Sequence, residues 1–193
     1  MRTPRILAFG GSLRRDSYNQ KLATAAAQGA RDAGAEVTLI ALRDFPLPVF
    51  DEDLEAADGM PPAARELKQL FLDHDGFLIA APEYNSSITA ALKNAIDWVS
   101  RSEVEGEPSL AAFRGKSAVL CAASPGALGG LRGLVHVRAI LGNLGVLVLP
   151  DQLAVSKAPE AFAADGTPVD GPQAARIAKL GAGLARHLAK MLE

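Results

Sequence analysis

Gly10-Gly11-Ser12-Leu13-Arg14-Arg15-Asp16-Ser17-Tyr18-Asn19 joins a short apolar run, residues 5–9, to a long alanine-rich run that begins at Tyr18. The first run reads as a strand and the second as a helix. Glycines let backbone N–H groups turn toward an anion, and a helix N-terminus adds partial positive charge. Ser17, followed three residues later by Gln20, fits a capping box and sets the helix start there. Arg14 and Arg15 bring formal charge to the place a phosphate would take. On residue types alone the loop is either a phosphate cradle or a tight turn. It is not a dinucleotide fingerprint, because Gly11, Leu13 and Arg15 do not supply GxGxxG. It is not a nucleophile elbow either, since Arg14 stands where GxSxG needs its last glycine.

Outward from this loop, apolar β-prone runs alternate with helical patterns. Strands are expected at 5–9, 36–40, 76–81, 117–122 and 146–149. Helices are expected at 18–33, from Pro62 past Phe71, at 88–99, at 131–143 and at 173–191, with Gly34 placed to end the first. Residues 42–62, 102–114 and 151–172 read as surface excursions. Such alternation argues an α/β fold, a parallel sheet with helices on both faces. Right-handed crossovers and a central first strand give a five-stranded sheet of order 2-1-3-4-5, the flavodoxin-like three-layer sandwich. Ligands bind such a sheet beyond the carboxyl ends of its strands. The loops converging there are 10–19, 82–87 and 123–130, all rich in Gly, Ser, Asn and Pro.

The 193 residues suit a single domain spanning 1–193. A formal net charge of −2 gives no reason to expect a nucleic-acid partner. No apolar run approaches the roughly 20 residues of a membrane span, and the first strand leaves no room for a signal peptide. A cytoplasmic location and no membrane association follow as expectations. Cys121 is the only cysteine, so redox chemistry here needs a bound cofactor. It lies in an apolar strand and reads as core. His74, His136 and His187 show no metal-ligand spacing, and no metal is expected. Gly115-Lys116-Ser117 resembles the end of a Walker motif but precedes a strand and lacks the first glycine.

Pro82-Glu83-Tyr84-Asn85-Ser86-Ser87 offers a flat ring and amide groups that suit the edge of a heteroaromatic ring, or an ordinary turn. Taken with Gly11-Ser12-x-Arg14-x-x-Ser17-x-Asn19 and Leu92-Lys93-Asn94-Ala95-Ile96-Asp97-Trp98, it resembles the NADPH-dependent FMN reductase family over about residues 5–150. The resemblance implies a non-covalent FMN. Ser12, Arg14, Ser17 and Asn19 would hold its phosphate. Pro82, Glu83, Tyr84, Asn85 and Ser87 would border the ring, largely through backbone groups, and Ser124, Pro125, Gly126 and Ala127 would close the other side. It also implies NADPH or NADH as co-substrate and a small-molecule acceptor: a quinone, free flavin, azo compound or oxidised metal. Flavin N5 then carries the chemistry, so no catalytic side chain is expected.

A homodimer or homotetramer is implied as well. Trp98 lies roughly 80° off the apolar stripe of its helix at 100° per residue. It reads as an interface residue, with a loop of its own subunit as the alternative partner. A flavodoxin-type electron carrier remains the alternative function, and a hydrolase or glycosyl transferase using Ser12 or Glu83 a more distant one.

Overall fold

The computed structural model describes residues 2–193. Strand β1 (Arg5–Gly10) is followed by α1 (Tyr18–Asp32) and β2 (Glu36–Ala41). A 3-10 turn (Leu42–Asp44), α2 (Glu52–Asp58) and α3 (Pro62–Asp73) lead to β3 (Gly76–Ala80). A hairpin of β4 (Glu83–Tyr84) and β5 (Ser87–Ile88) precedes α4 (Ala90–Val99). Then come β6 (Ser117–Ala123), α5 (Leu131–Asn143), β7 (Leu147–Val155), α6 (Ala158–Ala161) and α7 (Gly171–Met191). The main sheet has five parallel strands in the order β2-β1-β3-β6-β7, the expected 2-1-3-4-5 with the hairpin set apart.

Period-2 alternation divides each strand between two cores. Ile6, Ala8, Leu78, Ala80, Val119 and Cys121 face α1 and α7. Leu7, Phe9, Phe77, Ile79, Ala118 and Leu120 face α3, α4 and α5. Strands β3 and β6 are buried throughout, as continuous apolar runs between two helical layers must be. Small residues bring α1 and α7 together: a Cβ on Gly181 would lie 1.9 Å from the Ala26 carbonyl oxygen. Gly34 ends α1 as expected, with φ of +91°. The Gly34 N–H donates to Arg31 O and the Ala35 N–H to Ala30 O, a Schellman arrangement.

The excursion at 42–62 folds back onto the protein and overturns the interface reading of Trp98. That side chain is fully buried, with its indole N–H donating to Pro48 O at 2.8 Å. Phe50 meets it edge-on with centroids 5.0 Å apart, and Met60 and Ala64 complete the cluster. Asn94 fastens the same excursion, donating to Pro48 O and accepting from Phe50 N, both at 2.8 Å. A helical wheel shows that Trp98 leaves the main apolar stripe; it does not show which distant segment covers it.

The last strand is longer than 146–149 and takes in Asp151–Val155 from the expected excursion. Its register on β6 shifts between Ala118 and Leu120, so Pro150 falls at the irregularity and interrupts no ladder bond. Ile88 belongs to β5 and not to the helix, which starts after an N-cap at Thr89. The discarded Lys116 has a structural task. Its ammonium donates to the carbonyls of Phe71, Leu72 and His74, closing the C-terminus of α3.

Replacing Trp98 with Ala should destabilise the protein by about 3–5 kcal/mol, since it empties a filled site and leaves its neighbours little room to collapse. Urea unfolding checks this. A loss under 1 kcal/mol would mean that the 45–60 segment does not need its anchor.

Candidate functional site

At the carboxyl ends of β1, β3 and β6, three loops meet. Each is held by bonds to another loop. The Gly11 N–H donates to Ala80 O at 2.8 Å, setting the first loop against the exit of β3. Thr89 is buried; its hydroxyl donates to Gly11 O at 2.6 Å while accepting from Leu92 N at 3.1 Å. One side chain thus caps α4 and ties it to the first loop. Asn19 is buried, its amide donating one N–H to Ala123 O at 2.8 Å and accepting from Ala123 N at 2.9 Å. The first and third loops are therefore joined across 104 residues of chain. Neither Thr89's bond to Gly11 nor Asn19's long reach is visible in the sequence, although Thr89 before an apolar helical run was a legible N-cap signal.

Ser17 caps α1 as expected, its Oγ accepting from Gln20 N at 3.3 Å. The reciprocal half of the capping box is absent. Gln20 instead bridges strands β1 and β2, accepting from Gly10 N at 3.0 Å and donating to Ile40 O at 2.9 Å. Gly10 permits this packing, since a Cβ there would stand 2.8 Å from Gln20 N.

Nine of the residues singled out in the sequence surround one cavity of about 60 Å³. They are Ser12, Arg14, Ser17 and Asn19, then Pro82, Glu83 and Tyr84, then Ser124 and Pro125. Its size is on the scale of a phosphate group and not of a ring. Asp16, the only acid in the first loop, is paired with Lys21 at 2.7 Å. The cradle therefore presents hydroxyls, the Arg14 guanidinium and the N-terminus of the 15-residue α1, all favourable to an anion. Ser12, Arg14 and Tyr84 also line an adjoining cavity of about 330 Å³ that continues over Leu13, Thr89, Ala90 and Ala91. A small anion cradle opening into a mainly apolar slot suits an aromatic ring system with a phosphate tail, and FMN has that form.

The other four fall outside the cradle's lining. Asn85 and Ser86 form the tip of the hairpin, with φ of +50° and +68°, a type I′ turn between Tyr84 and Ser87. Ser87 turns to α5, its hydroxyl 2.8 Å from His136 Nδ1. Gly126 and Ala127 are exposed on the third loop, where Gly126 N donates to Ser124 Oγ at 3.3 Å.

Glu83 has a second task. Helix α5 follows an N-cap at Gly130, which has no side chain to cap it. The Glu83 carboxylate does so from the hairpin, accepting from Arg132 N at 2.9 Å and Gly133 N at 3.1 Å, with Arg132 Nε at 2.7 Å. Burial alone would raise its pKa. The Arg132 and Gly133 hydrogen bonds and the Arg132 charge outweigh that and hold the carboxyl below the ordinary glutamate value. A carboxylate so committed is no nucleophile. Cys121 is equally unsuited: burial pushes its thiol up to about 12. Among the described residues no three His, Cys, Asp or Glu side chains gather as metal ligands.

Asn19→Ala would leave a buried N–H and a buried C=O of Ala123 unpaired. The expected cost is about 1–3 kcal/mol for each group, read by urea unfolding. An unchanged midpoint would show that the loops hold together without this bond.

A model of the NADPH-dependent FMN reductase family matches residues 4–160. The NAD(P)H-dependent FMN reductase PA1204 of Pseudomonas aeruginosa is 37% identical over 167 residues, covering 86% of this chain and 85% of that protein. A quinone reductase of Escherichia coli K12 is 33% identical over 144 residues, covering 75% and 72%. The solved structure of FerB, a flavoenzyme NAD(P)H:(acceptor) oxidoreductase from Paracoccus denitrificans, superposes with a TM-score of 0.81 at 28% identity, covering 97% of this chain and 98% of that one. On this family match and these identities, the chain belongs to the NADPH-dependent FMN reductase family.

Proposed function

We propose that the 60 Å³ cradle holds the phosphate of FMN and that the protein is an NAD(P)H oxidoreductase acting on quinone, azo or flavin-type acceptors. The observation that carries this reading is the tied set of three loops, with the cradle at α1's N-terminus and an apolar slot beside it. Ser12, Ser17 and Arg14 donate to the phosphate. Asn19 serves from behind, by fixing the Ala123 backbone. Pro82, Glu83 and Tyr84 border the ring on one side, and Ser124 and Pro125 on the other. Asn85, Ser87, Gly126 and Ala127 contribute, if at all, through the backbone course of their loops.

The chemistry that bound FMN supplies is two-electron transfer from NAD(P)H to the acceptor. The chain's own residues position and shield. The hairpin, locked to α5 by Glu83 and by the Ser87–His136 contact, keeps Tyr84 beside the slot without a catalytic side chain.

The whole of 1–193 serves as one domain in this reading, working in the cytoplasm as a homodimer or homotetramer. No helix among the described residues is long and apolar enough to cross a membrane. With Trp98 buried, the support for assembly moves to α5. Leu131 and Val135, one turn apart, and the neighbouring Leu128 are exposed apolar residues next to the hairpin, which a second copy can cover.

Two measurements follow. Arg14→Ala removes a charge-assisted hydrogen bond worth about 1.5–3 kcal/mol, so FMN should bind about 10- to 100-fold more weakly; unchanged retention would place the phosphate elsewhere. Nicotinamide and acceptor share one open site, so double-reciprocal plots with a quinone should be parallel, the mark of ping-pong kinetics. A protein that binds FMN yet oxidises neither NADH nor NADPH would instead be an electron carrier.

A further inference from the structure

Three cavities stand in a row at the carboxyl end of the sheet. Beyond the slot that adjoins the cradle lies a third of about 490 Å³, which shares Leu13 and Ala91 with its neighbour. The reading above gives it no occupant. Its inner wall is one face of α4, where Ala91, Asn94 and Ala95 recur at i, i+3 and i+4. Its outer wall is the segment from Leu42 to Pro48, with Phe45 and Leu47 turned inward. That wall is fixed before anything binds. Pro48 is held by both Asn94 and Trp98, and Asn94 also takes the Phe50 N–H.

The cavity is apolar apart from Asn94, whose amide is already committed, and one guanidinium, Arg43. The nearest carboxylate to Arg43 is Asp44, at 4.0 Å, beyond hydrogen-bond reach. Leu13 and Ala91 stand between this space and the slot, and Leu13, 57% exposed, is the larger side chain at that boundary. A ligand with a flat apolar body and an anionic group fits such a chamber. A dinucleotide that enters the flavin slot by its nicotinamide continues past Leu13 with an adenosine end.

We infer that this third cavity takes the adenosine of NADPH and that Arg43 binds its 2′-phosphate, making Arg43 the residue that selects NADPH over NADH. The inference rests on the reading that NAD(P)H reduces a flavin held in the cradle. Arg14 cannot do the selecting, because it lines the cradle and the slot and is spent on the flavin phosphate. Arg43 acts on a group remote from the reacting atoms, so its role is read in nucleotide binding.

The test is calorimetric titration of the FMN-loaded protein with NADP⁺ and with NAD⁺, in the natural sequence and in Arg43→Ala and Arg43→Lys. Arg43 is at the surface and tied to no core contact, so both variants should fold. NADP⁺ should bind the natural protein about 10- to 100-fold more tightly than NAD⁺, the range of one charge-assisted contact. Arg43→Ala should lose that margin and leave NAD⁺ affinity unchanged, while Arg43→Lys should keep part of it. The inference is overturned if Arg43→Ala binds NADP⁺ as before, or if both nucleotides weaken equally. It is also overturned if the only change is in the KM of an anionic acceptor, which would make the chamber an acceptor site. Failure of the underlying reading looks different: neither dinucleotide would then bleach the bound flavin in any of the three proteins.

Discussion

A single carboxamide holds the site together. Asn19, in the first turn of α1, spends its oxygen on Ala123 N and its nitrogen on Ala123 O. Both protein groups are buried, so each hydrogen bond is made under conditions where leaving it unmade is expensive. Thr89 does for the second loop what Asn19 does for the third. The consequence is a cradle whose donors are in place before any ligand arrives. Little ordering entropy then remains to be lost on binding, which is the condition for tight capture of a small anion.

The same arrangement explains how loops can form a precise site. Each of the three begins at a strand buried on both faces, so its origin is fixed by the core. Each ends at a helix whose cap is also a tie: Ser17 on the cradle, Thr89 on Gly11, and Glu83 reaching from the hairpin to α5. The caps therefore do two jobs, satisfying orphan backbone groups and setting loop positions. Around these fixed ties, Leu13, Tyr84 and the third loop's Gly126 remain exposed.

The strand order was readable because β1, β2, β3, β6 and the start of β7 are compact apolar runs, and the five longest helices each show an apolar stripe; the short α2 and α6 lie inside the expected excursions, and α2 buries no residue. The first loop was readable because its chemistry is local: a glycine pair, a cap and arginines within ten residues. What escaped was anything decided by distant partners. Trp98 looked unpartnered until residues 45–60 closed over it. Asn19 was singled out only for the nearby phosphate, while its amide oxygen and one N–H bind a residue 104 positions away. Glu83 carried no sign that it would cap the helix that follows Gly130. Residues beyond 149 extend the last strand because a proline on an edge strand at a register shift is harmless, and neither condition shows in a string. Lys68 sits within the buried stripe of α3 and survives there only because Glu107, from the 102–114 excursion, pairs with it at 2.5 Å.

The preorganised cradle is proposed to recognise a phosphate. The most direct measurement is a fluorescence titration of the flavin-free protein with FMN and with riboflavin, which differ only in that group. Several charge-assisted contacts converge on it, so FMN should bind at least about 100-fold more tightly than riboflavin. Equal affinities for the two would contradict the account, because the tied loops would then be gripping the ring and not the phosphate.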